Sequence, residues 1–352
     1  MSTEVSTTLT TLYAPIQADI DHLESFLETE FAREEPFIGE LFSHVRCYHG
    51  KRIRPALLLL VGRLSGPAPN MIRPDQLEGL VKMAAVVELI HTATLVHDDI
   101  LDSAELRRNV ETLHQLWGER VAILMGDFIY SRAFSLSTEV DGMASIMSRA
   151  TNLICEGELL QIRHRFHADL DEEVYLDIIR KKTAILYAVA CEVGARIAGL
   201  GEPERKALYQ FGLDLGMAFQ IIDDCMDYAG DESVVGKSLG TDLHQGKVTL
   251  PLIHLLRAQG DAGRQKLLDT LGRPMSRGTE DRIAAAIRGD SSNGASNSGN
   301  GSGDGSGESP LHRSFARARA YIDSARAAVA GFPLELRESL DLVSDYVLRR
   351  RS

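Results

Sequence analysis

The 352-residue chain is expected to fold as an all-α protein, and its periodicity carries the first part of that expectation. Apolar residues recur at three- and four-residue spacings almost throughout, most clearly at Leu77, Leu80, Val81, Ala84, Ala85, Val87, Leu89 and Ile90. Alternating Val- and Ile-rich strands are essentially missing, as are the Asn-Gly turns that would join them. The cationic turn Lys51, Arg52, Arg54 ends at Pro55, a residue suited to the first turn of a helix.

In chain order, helices are expected around Asp19–Glu30, Arg54–Leu64, Leu77–Asp102, Glu119–Leu136 and Met143–Arg165. They continue around Asp171–Ala198, Glu204–Tyr228, Leu250–Gln259, Gly278–Arg288, Leu311–Ala330 and Leu334–Arg350. Residues 1–18 are expected to fray and 19–352 to form one domain. Gly289–Ser309 is almost wholly Gly, Ser, Asn and Asp, too polar to offset its conformational entropy, so it reads as a flexible surface insert.

Composition narrows the function. Hydrophobic content of 44% with 25% charged residues is ordinary for a soluble globular protein. A net charge of -12 argues against nucleic acid, whose phosphates require basic surface. Cys47, Cys155, Cys191 and Cys225 form no CxxC pair and read as reduced thiols. The Ser/Thr-rich start lacks the pattern of a secretory signal, and apolar runs such as Ala56–Val61 are too short to span a bilayer. A cytoplasmic protein is expected.

Two aspartate clusters carry the chemistry. Asp98-Asp99-Ile100-Leu101-Asp102 and Asp223-Asp224-Cys225-Met226-Asp227 each follow an apolar helical stretch. Each places carboxylates at i and i+4, on one helical face. So much like charge calls for a cation. Mg2+, which takes one or two carboxylates plus phosphate oxygens, fits best. If the two helices pack antiparallel or crossed, the clusters can hold a diphosphate through bridging metals.

Basic residues supply the other half of a diphosphate site: Lys51, Arg52 and Arg54, then Arg107 and Arg108, then Lys182, Lys237 and Lys247. Arginine's planar fork suits bidentate phosphate recognition, and lysine acts as a point charge. Taken singly, each is more often a solvated surface group. Gly236-Lys237-Ser238 is not a P-loop, because the spacing from Gly230 is wrong and a helix precedes it. His97-Asp98-Asp99 lacks the companions of a His/Asp phosphohydrolase, and no GxSxG or HExxH occurs.

GKRIRP (Gly50–Pro55), HTATLVHDDILD (His91–Asp102), LRR (Leu106–Arg108) and GD (Gly126-Asp127) occur in order. They are followed by EGELLQ (Glu156–Gln161), KTA (Lys182–Ala184), FQIIDDCMD (Phe219–Asp227) and GKSLGTDLHQGKVTLPLI (Gly236–Ile253). From about residue 20 onward, apart from the Gly/Ser insert, the chain resembles a trans-polyprenyl diphosphate synthase of the farnesyl, geranylgeranyl and octaprenyl type. That resemblance implies an all-α, isoprenoid-synthase-type helical bundle around a deep central cavity, usually in a dimer. It also implies an Mg2+-dependent condensation of isopentenyl diphosphate with an allylic diphosphate, by ionisation, condensation and deprotonation. Three Mg2+ ions are implied with substrate bound, with Mn2+ able to substitute. Asp98, Asp102 and Asp223 would hold the ions, supported by Asp99, Asp224 and Asp227. Lys182, Thr183, Gln220, Lys237 and Arg107 would touch the allylic substrate. Lys51, Arg54, His91 and Arg108 would hold isopentenyl diphosphate, with Lys247 facing the metal-bound diphosphate. Lys182 and Lys237 join Asp98, Asp102 and Asp223 as the expected catalytic set. His49 and Asn109 depart from the family, which often has glycine at both.

Product length depends on the helix before Asp98. Short-chain members resemble one another in placing aromatic residues at the fourth or fifth position before that aspartate, or in inserting residues within the motif. Here those positions are Thr94 and Ala93, and there is no insertion. A long all-trans product of roughly C30–C50 is expected, octaprenyl first among them, as a quinone tail; Ile123 or Met147 could supply a floor. The alternatives are farnesyl or geranylgeranyl diphosphate synthase. A terpene cyclase fits less well, since GKRIRP and the second cluster favour two diphosphates. From another class comes a catalytic-type subunit inactive without its partner. A homodimer is expected, a heterodimer is the alternative, and membrane contact would be transient, for product release.

Overall fold

The computed structural model describes residues 10–31, 35–48, 50–64, 72–167, 170–229, 241–271, 276–290 and 308–349, and these are almost wholly helical. Lys237, His49, residues 1–9 and the central part of the Gly/Ser insert lie outside them. The all-α expectation holds. The helices are α1 Gln17–Phe31, α2 Pro36–Arg46, α3 Ile53–Leu64, α4 Pro74–Leu101, α5 Leu113–Trp117, α6 Glu119–Thr138 and α7 Met143–Arg163. They continue as α8 Glu172–Ile179, α9 Ile185–Ile197, α10 Glu202–Ala229, α11 Thr241–His244, α12 Leu250–Ala258 and α13 Asp261–Leu271. α14 Arg277–Arg288, α15 Pro310–Ala328 and α16 Leu334–Arg349 complete the set.

Several differences from the sequence expectation have local causes. Within the N-terminal stretch expected to fray, Leu12 and Ile16 are buried and Ala14–Ile16 forms a 3-10 turn leading into α1. α2 has its own start signal, in which Glu35 caps the Phe37 amide at 3.0 Å and Pro36 occupies the first turn. The helix expected over Asp171–Ala198 is interrupted by a π-helical turn at Arg180–Ala184. Such turns are rare, and they occur often at functional sites. A short hairpin pairs β1 Leu106–Arg107 with β2 Val110–Glu111. Its two loop residues, Arg108 (φ 52°) and Asn109 (φ 65°), are both left-handed, as a two-residue hairpin turn requires. Asparagine tolerates that conformation better than most residues, so Asn109 is suited to the position.

The chain forms two compact units. The first comprises Met1–Asn152, Leu186–Leu213 and Arg326–Val343. Its core helix, α4, is sealed over Met83–Ile90, and α6 and α3 pack along it. By length and hydropathy α4 could cross a bilayer, although its uninterrupted apolar runs are short; 67% of its most apolar stretch is buried in protein, which marks a core helix. α9 lies so close to α3 that a Cβ on Gly194 would stand 2.4 Å from the Leu58 carbonyl oxygen. The second unit comprises Leu153–Ile185, Asp214–Ala325 and Ser344–Ser352. There Arg257 bridges Asp171 and Glu172 at the start of α8, and Ser314 on α15 lies 3.0 Å from His254 on α12.

Gly194→Ala forces two backbones apart, since the opposing atom is a carbonyl and no rotamer relieves it. We expect a loss of about 1–3 kcal/mol of stability, read as a lower urea midpoint with unchanged slope. A wild-type midpoint would show that α3 and α9 separate freely.

Candidate active site

Both aspartate clusters sit at the C-terminal ends of 28-residue helices, α4 and α10. Carboxylates are disfavoured there, because the helix dipole already places partial negative charge at that end. In each unit the chain beyond the helix folds back and brings donors.

In the first unit the hairpin supplies Arg107. Its Nε and Nη2 both lie 2.6 Å from Oδ1 of buried Asp99. Burial raises the Asp99 carboxyl above its ordinary pKa, and Arg107 opposes the shift. Oδ2 of Asp99 is buried without a hydrogen-bond partner. Asp98 and Asp102 are half-buried on the same helix. Arg107 is thus paired with an aspartate, which sequence alone did not reveal.

The same unit gathers basic side chains around His91. Arg108 donates to the Tyr48 carbonyl at 2.6 Å, and its guanidinium covers Gly50, where a Cβ would stand 2.5 Å from it. Arg54 stacks over the Tyr187 ring at 4.4 Å, and its Nε has no hydrogen-bond partner. Lys51 is half-buried beside them in sequence. Burial, followed by Arg54 and Arg108, pushes the His91 pKa well down and keeps the imidazole neutral. That is a ready seat for an anion.

The second unit holds an open cleft. Lys182, Thr183, Gln220, Asp224, Asp242 and Lys247 are among its lining residues. A hydrogen-bond chain crosses it. Thr183 donates to Gln220 Oε1 at 2.8 Å, Gln220 donates to Asp224 Oδ1 at 2.8 Å, and Tyr175 donates to Asp224 Oδ2 at 2.6 Å. Lys182, on the π-helical turn, donates to Gln161 at 2.7 Å and pairs with Glu158. Lys247 lies 4.0 Å from Asp242.

The aspartates of the second cluster are therefore unequal. Both oxygens of Asp224 accept protein hydrogen bonds, and burial pushes its pKa up to about 7 against the lowering effect of Tyr175 and Gln220. Asp227 accepts from the Thr241 amide at 3.2 Å, the Thr241 hydroxyl at 2.8 Å and the Asp242 amide at 3.0 Å, tying down the start of α11. Asp223 is half-buried. Tyr175 and Asp242 were missed from sequence. Tyr175, Ile178 and Ile179 form an apolar stripe that looks like any core face.

Among the described residues, no three His, Cys, Asp or Glu side chains form a ready cation cage. Mg2+ needs one or two carboxylates and takes the remaining oxygens from water and phosphate. The carboxylate oxygens of half-buried Asp98, Asp102 and Asp223 are the hard donors such an ion takes. Of the residues tied to product length, Ala93 and Met147 are fully buried, Thr94 is half-buried, and Ile123 is 44% exposed. Thr94, not Ala93, is therefore the one of that pair that meets accessible space.

Comparison with known proteins gives a consistent picture. The family model for polyprenyl synthetase matches residues 35–288. Heptaprenyl diphosphate synthase component 2 of Geobacillus stearothermophilus is 33% identical over 344 residues, 97% of each chain. Octaprenyl diphosphate synthase of Escherichia coli K12 is 40% identical over 221 residues, 62% of this chain and 66% of that one. The crystal structure of a Caulobacter crescentus polyprenyl synthase complexed with calcium and isoprenyl diphosphate matches with a TM-score of 0.83 and 33% identity, covering 98% of both chains.

The raised pKa of Asp224 has a stability consequence. The folded carboxyl holds a proton that the unfolded chain releases, so its contribution is full below the ordinary value of 3.8 and lost as pH rises toward about 7. In metal-free protein, Asp224→Asn should flatten that part of the stability–pH curve, measured by urea unfolding across the interval. Parallel curves for variant and wild type would refute the shift.

Proposed function

The chain belongs to the polyprenyl synthetase family and is a trans-prenyltransferase, and from that premise we propose that it extends an allylic diphosphate with isopentenyl diphosphate to a long all-trans product. The proposed range is roughly C30–C50 with octaprenyl foremost, and the hepta- and octaprenyl synthases among the relatives support it. The observation that carries the two-substrate reading is that Arg54 and Arg108, with Lys51 next to them in sequence, lie near a neutral His91. These groups offer a second diphosphate its own seat, distinct in sequence from either aspartate cluster.

Asp98, Asp102 and Asp223 are proposed to hold Mg2+, or Mn2+ in its place, against the allylic diphosphate. When bound, the metal neutralises negative charge on the leaving group. Asp224 and Asp227, whose oxygens are occupied by Tyr175, Gln220 and the start of α11, orient the cluster from behind. Asp99 does the same for the first cluster while anchoring Arg107. Lys182, with Lys237 outside the described residues, places positive charge on the departing diphosphate as the allylic C–O bond ionises. Thr183 and Gln220 fix that substrate, and Lys247 faces its diphosphate. The isopentenyl double bond attacks the allylic cation, and the released diphosphate takes the proton. No side-chain nucleophile is required.

The heptaprenyl diphosphate synthase relative supports a second reading. Its name, component 2, marks it as one part of a synthase, so this chain could be a catalytic subunit that works with a partner, a heterodimer in place of a homodimer. A cytoplasmic location with transient membrane contact for product release completes the proposal.

Incubating the purified chain with labelled isopentenyl diphosphate, farnesyl diphosphate and Mg2+, then chromatographing the products, tests activity and length together. An active chain disposes of the required partner; C15 or C20 alone would sink the long-chain reading. Asp98→Ala and Asp223→Ala should each lower turnover by roughly a hundredfold or more, and near-normal activity in either would overturn the metal assignment. Thr94→Phe should shorten the product at retained turnover. Ala93→Phe, at a sealed position, should instead cost about 1–3 kcal/mol of stability by overpacking. An unchanged product from Thr94→Phe would remove α4 from control of length.

A further inference from the structure

We infer that Arg52, held by Glu24 and Glu88, is a positioning residue that sets the geometry of the isopentenyl diphosphate seat. The inference rests on the reading that Lys51, Arg54, His91 and Arg108 receive that substrate.

Arg52 stands between Lys51 and Arg54 but has a different environment. Its side chain is 10% exposed, and that of Glu88 is 7% exposed. Nε and Nη2 of Arg52 reach the two oxygens of Glu24 on α1 at 2.7 and 3.2 Å, while Nη1 pairs with Glu88 on α4. The guanidinium is therefore spent on protein carboxylates and is unavailable to a diphosphate. Its backbone is left-handed at φ 49°, a conformation rare for a non-glycine residue and held only where the surroundings enforce it. The Arg52 carbonyl accepts from the Ala56 amide at 2.9 Å, opening the first turn of α3, which contains Arg54. The ion pair thus fixes the residue at which the backbone turns into α3.

The electrostatics agree with this role. A buried ion pair generally stabilises a fold no better than apolar packing would, so its value is geometric. Two carboxylates around one guanidinium leave a single net negative charge in the same unit as Lys51, Arg54, Arg107 and Arg108. That charge offsets repulsion among cations assembled before substrate arrives. Glu88 also stands three residues before His91, one turn away on α4, so the tether and the seat share a rigid element.

Steady-state kinetics of Glu88→Gln and Arg52→Lys test this, with Lys51→Ala as the control for the seat. We expect Glu88→Gln to raise the KM for isopentenyl diphosphate about tenfold, with kcat and the allylic KM within about twofold. Arg52→Lys, which keeps charge but loses the fork, should show a smaller rise of about threefold. If Lys51→Ala raises that KM and Glu88→Gln does not, the tether is unnecessary and the inference fails while the seat stands. If Lys51→Ala leaves the KM unchanged, the seat itself is misassigned and the inference falls with it. Should Glu88→Gln fail to fold, Glu24→Gln at the more exposed end of the tether takes its place. A parallel loss in kcat and both KM values, in any tether variant that melts like wild type, would also overturn a role specific to isopentenyl diphosphate.

Discussion

Carboxylates at the C-terminal end of a long buried helix are the constraint on which much of this molecule depends. α4 and α10 are each 28 residues long, and each ends in an aspartate cluster where the helix dipole opposes negative charge. The chain answers in the same way twice. After α4 a hairpin turns back and places Arg107 on Asp99. In the second unit, the amides that open α11 cap Asp227. One end is quieted by a cation and the other by backbone donors, and the carboxylates bonded in this way are the ones proposed as supports. Asp98, Asp102 and Asp223 are the carboxylates proposed to meet metal.

Compensation of this kind also explains why so few of the polar groups act alone. Asp224 is held by Tyr175 and Gln220, Gln220 by Thr183, and Lys182 by Gln161 and Glu158. A group whose hydrogen bonds are satisfied before substrate arrives need not reorganise when charge develops, and preorganised dipoles are the largest single source of catalysis in many enzymes. The π-helical turn fits the same scheme, since it sets Lys182 and Thr183 apart from the regular run of α8 and α9.

Much of the fold was legible in the sequence because helical periodicity is local. The long apolar rhythm of Leu77–Asp102 became α4, and Glu204–Tyr228 became α10 within a residue or two at each end. Short or polar elements were not legible. α13 is a largely exposed helix with few apolar residues, and the start of α2 was overlooked although Glu35-Pro36 marks it. The π-helical turn leaves no trace in residue spacing. For the candidate site, residue types were legible but partners were not: Arg107 is bonded to Asp99, and Tyr175, which looked like core, donates to Asp224.

The sequence by itself determined the family and the all-α architecture and pointed to the residues of the candidate site, since paired aspartates and ordered basic motifs are properties of neighbouring residues. Tertiary structure decided which oxygen of which aspartate is already occupied, and which small residue before Asp98 meets accessible space. The physical reason is distance along the chain. Tyr175 lies 49 positions from Asp224 and Arg52 lies 36 from Glu88, so their partnerships exist only once packing brings the helices together. Ala93 and Thr94 are adjacent in sequence, yet one is sealed and the other half-open. A rotation of one residue on a helix moves a side chain about 100° around its axis, and only the neighbouring helices decide what it then faces.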